Sequence, residues 1–106
     1  MSETPGRVTI AQNVLDTIVQ LTTLNVPGVS RLGTRGAFRR GADGVHVEVV
    51  DHRVNVEVHV VVASEVNMRE VGQTIQAEIA RAMKDIVGMD VAAVNVHIQD
   101  VEAAGA

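Results

Sequence analysis

The stretch that decides the fold is Val45-His46-Val47-Glu48-Val49-Val50-Asp51-His52-Arg53-Val54-Asn55-Val56-Glu57-Val58-His59-Val60-Val61-Val62. Val45, Val47 and Val49 alternate with His46 and Glu48, and Val54, Val56, Val58 and Val60 alternate with Asn55, Glu57 and His59. A period of two places one set of side chains on each face of a strand, so each run reads as a half-buried strand with one valine face and one polar face. The link between them is constrained by parity. A two-residue turn at Asp51-His52 pairs Val49 with Val54, Val47 with Val56 and Val45 with Val58, keeping every valine on one face, whereas an odd link would oppose valine to a polar residue. The same register sets His46 opposite Glu57, Glu48 opposite Asn55 and His59 opposite Gly44.

Outward from this hairpin, Ala11, Val14, Ile18 and Leu21 recur at spacings of three and four, flanked by Leu15 and Val19, and predict a helix from about Ala11 to Asn25 whose apolar stripe faces the core. Pro27 and Gly28 end it. Val8 and Ile10 give a weak strand signal ahead of that helix, and Val29 to Leu32 a short strand after it. Downstream, Asn67 caps a second helix with Glu70 three residues on. Met68, Val71, Ile75, Ile79, Ala82, Met83 and Ile86 form its expected buried stripe, and Gly88 stops it. Val91 to Val101 returns to period two. The expected order is β-α-(β)-β-β-α-β, an α+β fold with a mixed or antiparallel sheet and both amphipathic helices on one face.

The chain of 106 residues accommodates a single domain, residues 1–106, with residues 1–5 and 102–106 as flexible ends. Its core cannot be aromatic, since Phe38 is the only aromatic residue, and valine takes that place. There is no cysteine, which excludes disulfides, thiolate metal sites and cysteine nucleophiles. The opening residues Met1 to Gly6 lack the basic and apolar segments of a secretory signal, and no apolar run approaches the roughly 20 residues of a membrane-spanning helix. The formal net charge of −4 is unevenly placed: Arg31, Arg35, Arg39 and Arg40 put four positive charges among residues 31–40 with no acid between them, leaving the remainder strongly acidic.

Chemistry-bearing constellations are few. His46, His59 and His97 all fall on polar strand faces, but no spacing fixes them near one another, so they read as solvated positions and no metal or cofactor is expected. Asp51-His52 are neighbours in a turn, and Ser2, Ser30 and Ser64 stand in no nucleophile context. No catalytic residues are expected and no small-molecule substrate. Gly33-Thr34-Arg35-Gly36 fits the GXXG pattern that clamps a nucleic-acid backbone, which makes a nucleic-acid-binding module the second-ranked reading. Base stacking on the sheet is excluded by the lack of aromatic platforms. The best site is the basic segment: Arg31, Arg35, Arg39 and Arg40 engage anionic groups, and Phe38 beside them suits a partner pocket or an anionic surface.

Several segments together resemble the alkaline shock protein family of small bacterial proteins: Gly6-Arg7-Val8-Thr9-Ile10 leading into a helix, Val26-Pro27-Gly28-Val29 after it, the hairpin from Val45 to Val62, the helix from Asn67 to Met89, and Val94-Asn95-Val96-His97-Ile98-Gln99-Asp100-Val101. The resemblance implies a non-enzymatic cytoplasmic protein of envelope homeostasis and stress response. It further implies self-association and binding to a membrane-anchored partner, which would hold the protein at the inner face of the membrane. The family offers no agreed catalytic residues to carry over.

Overall fold

A computed structural model describes residues 4–34 and 44–103. The elements run α1 (Gln12–Leu24), β1 (Val29–Leu32), β2 (Val45–Val50), β3 (Arg53–Ala63), α2 (Met68–Ala82) and β4 (Asp90–Glu102), with a wider π turn, Met83–Val87, extending α2. The hairpin forms in the register that parity requires: Val49 faces Val54, Val47 faces Val56, Val45 faces Val58, and His46 faces Glu57. Asp51 and His52 both carry positive φ, 52° and 66°, as a primed two-residue turn demands.

β3 is the central strand. One of its edges pairs antiparallel with β2 along residues 53–58 and then with β1 near residues 60–62, so these two short strands lie end to end. Its other edge pairs parallel with β4. Parallel neighbours need a crossover, which α2 supplies as a β-α-β unit. The sheet is therefore mixed, as the α+β reading allows, and both helices lie over one face. The alternation before α1 does not become a strand. Residues 7–10 pair with nothing in the sheet, and Val8 is 90% exposed.

The core consists almost wholly of β-branched residues. Val45, Val47, Val54, Val56, Val58, Val60 and Val62 of the sheet meet Leu15 and Val19 of α1 and Val71, Ile75, Ile79 and Met83 of α2, all buried. Stiff branched side chains suit a pleated surface, which is how a core closes with no aromatic residue among the described ones. Each helix also gives a glutamine to an outer strand: Gln12 donates to the Val47 carbonyl at 2.8 Å and Gln76 to the Val94 carbonyl at 3.1 Å. Asn67 caps α2 by accepting from the Glu70 N–H at 3.1 Å. The helix closes at Gly88, whose φ of 73° places it in the left-handed region.

The predicted stripes need two corrections. On α2, Val71, Ile75, Ile79 and Met83 are buried, but Met68, on the first turn, and Ile86, in the π turn, face solvent. On α1 the face presented to the core is Leu15, Val19 and Thr23, continued by Val26 beyond the helix. Val14 and Leu21, placed in the core by their spacing, are exposed at 43% and 59%. Apolar residues cover more of this helix than one packing face can use, and the sheet takes the half centred on Val19.

Candidate functional site

The sheet face away from the helices is polar and carries the densest group of ionisable side chains among the described residues. Glu57 and His59 are two residues apart on β3 and so project from the same face. The parallel register then sets His97 of β4 opposite His59. The two imidazoles stack with ring centroids 4.5 Å apart and planes inclined by 16°. Glu57 Oε1 lies 3.6 Å from His97 Nε2. The ligand-capable atoms of Glu57, His59 and His97 are all within 4.8 Å of one another. His46 occupies the neighbouring position on β2, opposite Glu57. Of the three strand histidines singled out by sequence, the fold thus brings His59 and His97 together. Their pairing depends on β4 lying parallel beside β3 in this register, which no local spacing reveals.

Beside this group stands the base of the basic segment. The Gly33 N–H donates to the His59 carbonyl at 2.6 Å, and the His59 N–H donates to the Gly44 carbonyl at 2.7 Å. A Cβ on Gly44, which has a φ of 75°, would lie 2.6 Å from the Gly33 oxygen, so both the backbone conformation and the close approach require glycine there. The Gln99 side chain completes the clamp. It accepts from the Thr34 N–H at 3.0 Å, donates to the Thr34 carbonyl, and brings Nε2 within 3.3 Å of His59 Nδ1.

Of the predicted contact residues, Arg31 lies on β1 and reaches Glu102 Oε2 with its Nε at 2.7 Å, both side chains remaining exposed. Arg35, Phe38, Arg39 and Arg40 lie outside the described residues. So does Gly36 of the GXXG pattern. Gly33 and Thr34 are described, and their backbone groups are engaged with His59 and Gln99. The GXXG tetrapeptide follows a strand here.

A third feature escaped the sequence reading because its residues were assigned to the core. Val14, Leu21 and Leu24 of α1 are exposed, and Ile18 between them is only half-buried. Spacings of four and three bring Val14, Ile18 and Leu21 into one line on the helix surface. Across the 13 residues of α1 the sole charged side chain is Asp16. The signal was present in the sequence as an apolar arc too wide for one packing face.

Fold and site together define a small sheet-and-helix domain with a neutral apolar helix face on one side and a polar, histidine-bearing sheet face on the other. The chain belongs to the alkaline shock protein 23 family, described as having a cell envelope-related function, with residues 1–103 matched. It is similar to the uncharacterized protein YqhY of Bacillus subtilis (strain 168), at 25% identity over 107 aligned positions that cover 92% of this chain and 78% of that protein. Among solved structures, the copper form of the MamM CTD matches with a TM-score of 0.58 at 14% identity, covering 90% of each chain. A MamM CTD comprising residues 215–293 of that protein matches with a TM-score of 0.56 at 12% identity, covering 85% of this chain and 99% of that one. At such identities these likenesses describe the fold alone. No helix among the described residues is long and apolar enough to cross a membrane.

Proposed function

We propose that this chain is a non-enzymatic interaction protein of the cell envelope, acting in the cytoplasm by self-association and by binding a membrane-anchored partner. The observation that carries the reading is the outer stripe of α1. Val14, Ile18 and Leu21 keep apolar surface in water on a helix with one charge in 13 residues. Burying such surface is favourable by roughly 25 cal/mol per Å². A second copy is the occupant this face suits best. A two-fold contact joins identical surfaces, so a charge near its axis would face its own copy, and here the stripe is free of charge. In an antiparallel pairing centred near Ile18, Val14 of one chain meets Leu21 of the other, each packing the same pair of residues.

The basic segment provides the second contact in this reading. Arg35, Phe38, Arg39 and Arg40 stand between the two held residues Thr34 and Gly44, opposite in charge to the acidic remainder of the chain. Guanidinium groups beside a phenylalanine match an acidic, partly apolar surface on the anchoring protein.

Sedimentation equilibrium tests the first contact. The unaltered chain is expected to show a concentration-dependent mass that rises toward the dimer. Val14→Asp with Leu21→Asp is expected to hold it at the monomer mass while leaving the circular dichroism and thermal midpoint close to those of the unaltered chain, since both positions are exposed. Equal association of the two chains would overturn the assignment.

A further inference from the structure

From the outer sheet face we infer that Glu57, His59 and His97 form a binding site for a divalent late first-row transition ion, with Zn2+ as the natural probe. Three observations combine. The first is donor type: two imidazoles and one carboxylate are the set that suits Zn2+, Ni2+ and Cu2+, whereas Mg2+ and Ca2+ demand oxygen ligands. The second is position. Glu57 and His59 project from one strand, His97 from its hydrogen-bonded parallel neighbour, and the three ligand atoms fall within 4.8 Å of one another. Ligands around a tetrahedral Zn2+ at about 2.1 Å are about 3.4 Å apart, so closure needs a side-chain movement of about 1.5 Å and no change in the backbone. His97 lies exposed at the rim, and His59 and Glu57 are half-buried beside it.

The third observation concerns the surroundings. Gln99 Nε2 lies 3.3 Å from His59 Nδ1, and the same amide is locked to Thr34. An amide nitrogen only donates, so a donor held in this way keeps His59 Nδ1 unprotonated, and ligation by that nitrogen displaces this long contact. Water completes the coordination, and His46, opposite Glu57 in the strand register, is the nearest further imidazole by position. The site adjoins the base of the basic segment, because Gly33 and Gly44 bond to the backbone of His59 itself.

The test is isothermal titration of the full chain with Zn2+ in the presence of excess Mg2+, repeated with Co2+ while the visible absorption of tetrahedral cobalt is followed. One ion per chain is expected, with affinity falling as the solution is acidified because the imidazoles must be unprotonated to ligate. His59→Gln, His97→Gln and Glu57→Gln should each weaken binding tenfold or more and reduce the cobalt absorption. His52→Gln, in the distant hairpin turn, should leave both unchanged. His97→Gln is the decisive variant, since an exposed rim residue can be replaced with the fold intact. Unaltered affinity in His97→Gln, loss of binding in His52→Gln alone, or the absence of saturable binding would each overturn the assignment.

Discussion

Thr23 shows how a single atom can be in the wrong surroundings. Its side chain is fully buried at the end of α1 against the valine core, and its Oγ1 has no hydrogen-bond partner. A buried hydroxyl without a partner costs roughly 1–3 kcal/mol, and valine has the same shape without the polar atom. Thr23→Val is therefore expected to stabilise the fold by about 1 kcal/mol, read as a rise in the chemical-denaturation midpoint at constant slope. A fall in that midpoint would show that the hydroxyl is doing something favourable. At this scale the sequence was most legible where chemistry is local. Asn67 caps Glu70, and Gly88 closes α2, because both devices depend on residues within a turn of each other. It was least legible at His59 and His97, which are 38 positions apart and meet only through the order of strands.

At the scale of elements, the β2–β3 hairpin was readable down to its pairs, because a two-residue period leaves one register in which all valines share a face. Its turn is held by two residues with side chains at positive φ, which L-residues other than glycine adopt at a cost of about 1 kcal/mol each. Replacing Asp51-His52 by Asn-Gly is expected to raise stability by about 1 kcal/mol and to accelerate hairpin formation in stopped-flow refolding. An unchanged or lower thermal midpoint would mean that His52 makes compensating contacts. Helix α1 gives the contrasting lesson. Its period identified a helix correctly but not its azimuth, since Val14, Leu15, Ile18, Val19 and Leu21 together span an arc wider than the face that meets the sheet. The residues chosen by the core are Leu15, Val19 and Thr23, one of them polar. What remains outside is apolar, and that remainder is the basis of the proposed association.

For the molecule as a whole, the net charge of −4 divides between a strongly acidic remainder and the arginines of residues 31–40, one of which, Arg31, is paired with Glu102 across β3. Exposed ion pairs of this kind contribute less than about 1 kcal/mol, so the pairing orients Arg31 more than it stabilises the fold. β4 forms one open edge of the sheet and β1 with β2 the other, and bulges near Ala92 and Gln99 interrupt the register of β4 with β3. A bulged strand is a poorer template for adding another strand. The chain belongs to an envelope-related family, and the absence of cysteine from its sequence makes the proposed association simple to probe. The most direct measurement is mild oxidation of a chain carrying Val14→Cys and Leu21→Cys, whose only thiols lie on the outer stripe of α1. A disulfide-linked dimer is predicted, formed through Cys pairs between positions 14 and 21 of the two copies, with little cross-linking in a control chain carrying Glu48→Cys on the polar sheet face. Failure of the stripe cysteines to cross-link, or equal cross-linking by the control, would contradict the claim that α1 is the surface on which this protein meets itself.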